Sequence, residues 1–185
     1  ENSRLLKVEG GDIRVLRPED HLRVLCVHWL NDGGAYKDRL WDIYYAVGNR
    51  PPDFDWERCL NTVSKIRRRW IVCTLGLTRR YLDLNLDDTP VKDEAYDLPK
   101  WLIRELEREW ASDVRLMQMD LLLHDLAALF AQIKKRLRPN AIQATIEMEG
   151  SFDTKTQVFY QIGGVIKRIM PSIRRTSRNI ISRPK

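Results

Sequence analysis

The sequence predicts a mainly α-helical fold: an irregular bundle of about six to seven helices with a short N-terminal β-hairpin. Three observations predict it. Apolar residues recur at i, i+3, i+4 and i+7, as in Leu22, Leu25, Cys26 and Trp29, the period of a helix with one buried face. Glycines and prolines cut the chain into pieces of helical length, at Gly33-Gly34, Gly48, Pro51-Pro52, Pro90, Pro99, Pro139 and Pro171. The pieces differ in length and follow no fixed period, which favours a compact bundle over a stacked repeat.

The elements follow in order. Leu5–Val8 and Ile13–Leu16 flank Glu9-Gly10-Gly11-Asp12, whose glycines can take the positive φ of a tight turn. Such a hairpin is marginal alone and needs a helix over its apolar face. Pro18 suits a first helical position, with Glu19 and Asp20 complementing the helix dipole, and Asp32-Gly33-Gly34 stops that helix. A second helix is expected from Lys37 to Val47. A third, capped by Asp55, carries Trp56, Cys59, Leu60, Val63 and Ile66, with a kink or a short turn at Arg67-Arg68-Arg69. A fourth spans Trp70 to Leu82. Residues 83–97 read as a solvated acidic loop. Pro99 starts a fifth helix to Trp110, and Ser112-Asp113 caps a long sixth to Leu137. Residues 140–152 read as a connector with weak strand character. A seventh helix is expected over Lys155–Met170, weakened by Gly163-Gly164. The divisions are therefore 1–17 (hairpin), 18–138 (helical core) and 139–185 (connector, last helix and tail).

Of the 185 residues, 43% are apolar and 31% charged, which allows a sizeable core and excludes a disordered chain. The net charge of +6 is unevenly placed. From Gly164 to Lys185 there are seven basic residues and no acid, so the body is close to neutral and the tail is basic. Cys26, Cys59 and Cys73 are odd in number, far apart and set in apolar patterns, as expected of buried reduced thiols in a cytoplasmic protein. No apolar run approaches the roughly 20 residues of a membrane span, and Glu1-Asn2-Ser3 lacks the apolar region of a signal peptide.

Four patterns bear on chemistry. Asp83 to Glu94 imitates a calcium loop, but its sixth position is Asp88 where the sharp turn needs glycine. Arg23 and His28 share the R-x4-H spacing that resembles HEPN ribonucleases, while the ordinary reading of His28 is a hydrogen-bonded core histidine. Gly150-Ser151 resembles the opening of a nucleotidyltransferase site, but Asp153 is the sole acid after it and no metal-binding pair can form. The basic tail, with Lys167, Arg168, Arg174, Arg175 and Arg178 as the expected polyanion contacts, has three readings. It is a solvated helix end, a nucleic-acid contact, or a membrane-surface contact using Ile166, Ile169, Met170 and Ile173 beside the cations.

Several residues together carry a family resemblance. Arg17-Pro18-Glu19-Asp20-His21-Leu22, Leu25-Cys26-Val27-His28, Leu40-Trp41-Asp42-Ile43 and Asp55-Trp56 are similar to the C-terminal part of the uncharacterised bacterial nucleotidyltransferase-like proteins of the DNA polymerase β type. The resemblance covers about residues 5–90. The family often has a Lys and a second His shortly after the first, where this chain has Asn31 and Asp32. The resemblance implies a catalytic domain upstream of the hairpin, whose Gly-Ser and paired carboxylates hold Mg²⁺ and an NTP, with no cofactor held by this chain. It makes the hairpin the edge of that domain and sets His28, Asn31, Lys37 and Asp42 as the substrate-facing residues. His28 and Asp42 are expected to pair, either as a buried bond fixing two helices or facing the nucleotide cleft. The alternatives are a non-catalytic binding module that uses the tail for nucleic acid, a membrane surface or a protein partner, and a HEPN-like ribonuclease.

Overall fold

The computed structural model describes residues 3–112, 140–155 and 157–167. The protein is mainly helical with a two-stranded antiparallel hairpin at its N-terminal end. Strands β1 (Ser3–Val8) and β2 (Gly11–Leu16) pair from Ser3 opposite Leu16 to Val8 opposite Gly11. The turn is only Glu9-Gly10, tighter than the sequence reading, and Gly10 at φ +108° and Gly11 at φ +146° take backbone conformations that side chains disfavour. Among the described residues no helix covers the hairpin: Leu5, Leu6, Val8, Ile13 and Leu16 are all exposed.

Helix α1 (Pro18–Asn31) buries Leu22, Cys26, Trp29 and Leu30, the stripe its spacing demands. A 3-10 turn (Lys37–Arg39) precedes α2 (Leu40–Gly48), so the second helix starts later than its apolar pattern suggested. The expected third helix is divided. Helix α3 (Trp56–Asn61) is capped by Asp55, which accepts the Arg58 N–H at 2.9 Å. The chain then breaks, and Ser64 caps α4 (Lys65–Leu82) by accepting the Arg67 N–H at 3.3 Å. Val63 and Ile66 therefore lie on opposite sides of a helix start, and no kink falls at the arginines.

Helix α4 is the centre of the bundle. Trp70 through Thr78 are all buried, as expected of a helix packed on every side. Thr74 and Thr78 satisfy their hydroxyls on the carbonyls one turn back, at 2.9 and 3.0 Å. Three arginines at its positive N-terminal end would be unfavourable alone, but each has an acidic partner. Arg68 holds Glu94 through two bonds of 2.5 and 2.6 Å, Arg69 holds Asp153 at 3.1 Å, and Arg67 holds Glu149 at 2.5 Å. The triplet thus ties α4 to two distant segments.

One of these is 83–98. Its acids face solvent, as expected, but Leu84, Leu86, Val91 and Ala95 are buried, so it is anchored to the core rather than simply solvated. Helix α5 (Lys100–Trp110) follows. The expected sixth helix, 112–137, falls almost wholly outside the described residues. The connector with strand character is instead helix α6 (Ala141–Glu147), because Asn140 accepts the N–H groups of Ile142 at 2.9 Å and Gln143 at 3.3 Å. Ile142 and Ile146, one turn apart, enter the same core as α1, α2 and α4, and burial overrides their β-propensity. The indoles of Trp70 and Trp101 donate to the carbonyls of Gly150 and Phe152 at 2.9 and 2.8 Å, fixing the next segment. Helix α7 covers 158–167, starting after Lys155 and passing through Gly163-Gly164 unbroken.

The three cysteines are buried and unpaired. Burial pushes the Cys59 and Cys73 thiols up to about 12, and the Cys26 thiol well above its ordinary value. Among the described residues, no helix is long and apolar enough to cross a membrane.

Candidate functional site

Helix α1 has two faces. Its inner residues build the core. Its outer residues Asp20, Arg23, Val24, Val27, His28 and Asn31 fall three or four apart and share one side. Across from them stand Val63 and the first turns of α4, with Arg67 and Ile71, and the hairpin contributes Leu16. Together they line a groove of about 490 Å³ whose floor is largely aliphatic.

One end of the groove is braced by charge. The buried Asp20 carboxylate accepts from Arg23 through one oxygen and from Arg58 at 2.9 Å through the other. Arg23 also donates to Thr62 and to the Arg58 carbonyl, so its guanidinium is committed to the junction of α1 and α3. Beside it, burial raises the Glu19 carboxyl, but bonds from the backbone N–H groups of Asp55 and Glu19 and from Arg17 outweigh this, and the net direction is down. This bracket positions the groove and leaves Arg23 little freedom to act on a ligand.

The other end carries His28. Its side chain is 62% exposed, so the expectation of a core histidine is overturned. Its Nε2 lies 3.9 Å from the Asp32 carboxylate and 3.4 Å from Arg39, which itself pairs with Asp32. The expected His28–Asp42 pair does not form. Asp42 is exposed in the first turn of α2, and the 3-10 turn brings Arg39 rather than Asp42 to the end of α1.

Of the four substrate-facing residues expected, His28 and Asn31 meet in the groove and Lys37 and Asp42 do not line it. The Lys37 ammonium sits 5.5 Å from the Tyr81 ring and 5.3 Å from the Trp110 ring, a cation–π arrangement joining the loop to α4 and α5. Of the tail residues, Lys167 donates to the Glu147 carbonyl at 3.1 Å and so caps the C-terminal end of α6. Arg168, Arg174, Arg175 and Arg178 lie outside the described residues. The calcium-like acids are engaged singly, Asp87 by Lys92 at 2.8 Å and Glu94 by Arg68. Among the described residues no group of three or more His, Cys, Asp or Glu is placed to hold a metal ion.

Val24, Val27, Val63 and Ile71 are groove residues that the sequence does not single out as part of a site. A signal existed: Val24 and Val27 are aliphatic on the side of α1 opposite its core stripe. Compared with protein-family models, with curated proteins and with solved structures, the chain matches none.

Proposed function

We propose that this chain is an accessory helical domain of a nucleotidyltransferase-like protein, covering one side of a nucleotide or acceptor site whose catalytic carboxylates lie upstream. One observation carries the reading. The hairpin reaches the aliphatic groove through Leu16, which shares a hairpin face with the exposed Leu5, and His28 and Asn31 stand on the rim. Exposed apolar side chains beside an aliphatic groove support a contact site.

In this reading the hairpin and groove seat on the catalytic domain, and the Asp20–Arg23–Arg58 bracket keeps the seat rigid. His28 and Asn31 then present an imidazole and an amide to the bound nucleotide or acceptor. In this reading the upstream carboxylates supply Mg²⁺ and NTP binding.

The test is nucleotidyl transfer by the chain together with the residues encoded ahead of Glu1. Transfer should require both parts, and His28→Ala should lower it without lowering the melting temperature. An upstream region without Gly-Ser and Asp-x-Asp, or transfer by the 185-residue chain alone, contradicts the proposal.

A further inference from the structure

Arg79, in the last turn of α4, is partly buried. Among the described residues every other partly buried arginine holds a carboxylate: Arg17, Arg23, Arg39, Arg50, Arg58, Arg68 and Arg69. Arg79 holds none. Its Nη1 is closed off from solvent without an acceptor, and no described residue accepts from the rest of its guanidinium. Leaving a buried donor unpaired is costly. Two acids stand near enough to have served. In a longer helix Asp83 would be the partner four residues on, but it takes the left-handed φ of +55° that ends α4 and is turned off the helix face. Asp87 feels the charge of Arg79 but is bonded to Lys92 at 2.8 Å.

The guanidinium is nevertheless held in place. Its central carbon lies 3.3 Å from the centre of the Tyr96 ring, a separation that requires the two planes to lie flat on each other. A flat stack leaves the in-plane N–H groups for other acceptors. Nη1 is the nitrogen closed off, so the Nε–Nη2 edge remains, and that edge is a fork suited to a carboxylate. Arg79 and Tyr96 line a pocket of about 480 Å³ between the end of α4 and the 83–98 segment. Leu84, Leu86 and Leu98 also line it, and Gly76 lets the backbone of Ala95 close against α4. Arg79, Arg80 and Lys92 against Asp83 and Asp87 leave a single net positive charge around it. The carbonyls at the C-terminal end of α4 add negative partial charge. A singly charged carboxylate suits these surroundings, whereas a doubly charged phosphate meets two acids and the wrong end of a helix.

We propose that this pocket binds a small organic carboxylate. The Arg79 fork, steadied by Tyr96, holds the carboxylate, and the leucine wall receives its apolar body. The site is separate from the groove of α1 and α4 and does not depend on the function proposed for that groove.

Benzoate, a flat apolar carboxylate, is the probe. It is titrated into the full 185-residue chain and followed by NMR of the backbone amides and the arginine Nε–H groups. Saturable shifts should appear at Arg79 and over residues 83–98. Benzamide, of similar shape without the charge, should bind at least about tenfold more weakly, and Arg79→Gln should weaken benzoate by the same factor. Arg79→Lys keeps the charge without the fork and should not restore the affinity. Tyr96→Leu, at an exposed side chain, should leave the rest of the spectrum in place and weaken benzoate roughly threefold. Should Arg79→Gln unfold, the benzamide and Tyr96→Leu measurements decide. Absence of saturable shifts at Arg79 and over 83–98 overturns the proposal. So does benzoate binding that Arg79→Gln or Tyr96→Leu leaves intact, or benzamide binding as tight as that of benzoate. Inorganic phosphate binding more tightly than benzoate, and lost in Arg79→Gln, overturns the assignment to a carboxylate.

Discussion

Leu6 and Ile13 face each other across the hairpin in register, and their side chains remain 41% and 47% exposed. A cross-strand pair of this kind contributes well under about 1 kcal/mol, and an isolated two-stranded hairpin is marginal in water. In the proposed function the exposed apolar residues of this hairpin meet the upstream domain rather than this chain's own core. If so, Leu6→Lys with Ile13→Thr should leave the melting temperature of the 185-residue chain within about 2 °C. A large loss of stability would show that the hairpin is part of this chain's own core.

The buried carboxylate of Asp20 serves two arginines at once. Asp20→Asn keeps the shape but removes the charge, leaving Arg23 and Arg58 without their anion. Breaking a buried pair in this way costs on the order of 3 kcal/mol. Urea denaturation should show a fall of that order, and His28→Ala, at an exposed position, should change stability by less than about 0.5 kcal/mol. Equal effects from the two would contradict the division between bracket and rim.

Gly76 offers a test of sign. In a helix interior Gly→Ala ordinarily stabilises by about 1 kcal/mol. Here a Cβ would run into the carbonyl oxygen of Ala95, a backbone atom in the anchored 83–98 segment. Gly76→Ala should therefore destabilise, and the same method would read the opposite sign if the segment were loosely held.

The thiols predict an alkaline limit. In the folded chain Cys59 and Cys73 keep their protons up to about 12, whereas unfolded thiols ionise near their ordinary value of 9. Between those values the unfolded state binds fewer protons, so stability falls as pH rises. The contribution is complete below pH 9 and is lost toward pH 12. Chemical denaturation across this window should show the decline, and replacing both cysteines with alanine should flatten it. An unchanged slope would mean that other groups cause it.

Much of the fold was legible because local signals and burial agree. Pro18, the Leu22–Trp29 stripe and Gly33-Gly34 delimit α1, and Pro99 marks the start of α5. The misreadings share a cause. Ser64 and Asn140 are single cap residues beside basic runs, and each starts a helix that periodicity alone does not reveal. The arginine triplet looked like a break because its partners, Glu94, Glu149 and Asp153, lie 26 or more residues away. The candidate site was half legible. His28 and Asn31 share a helix, so their common face follows from spacing. The pairing of His28 with Asp42 depended on the phase between two helices, and the 3-10 turn at Lys37–Arg39 changed that phase.

The central claim is that the hairpin and the groove beside α1 are an interface with an upstream domain. Hydrogen–deuterium exchange tests it most directly, comparing the 185-residue chain with the same chain carrying its upstream residues. The account predicts slower exchange over residues 3–16, along α1 and over the first turns of α4 in the longer protein, with α5 unchanged. Equal exchange over residues 3–16 in the two proteins would contradict it.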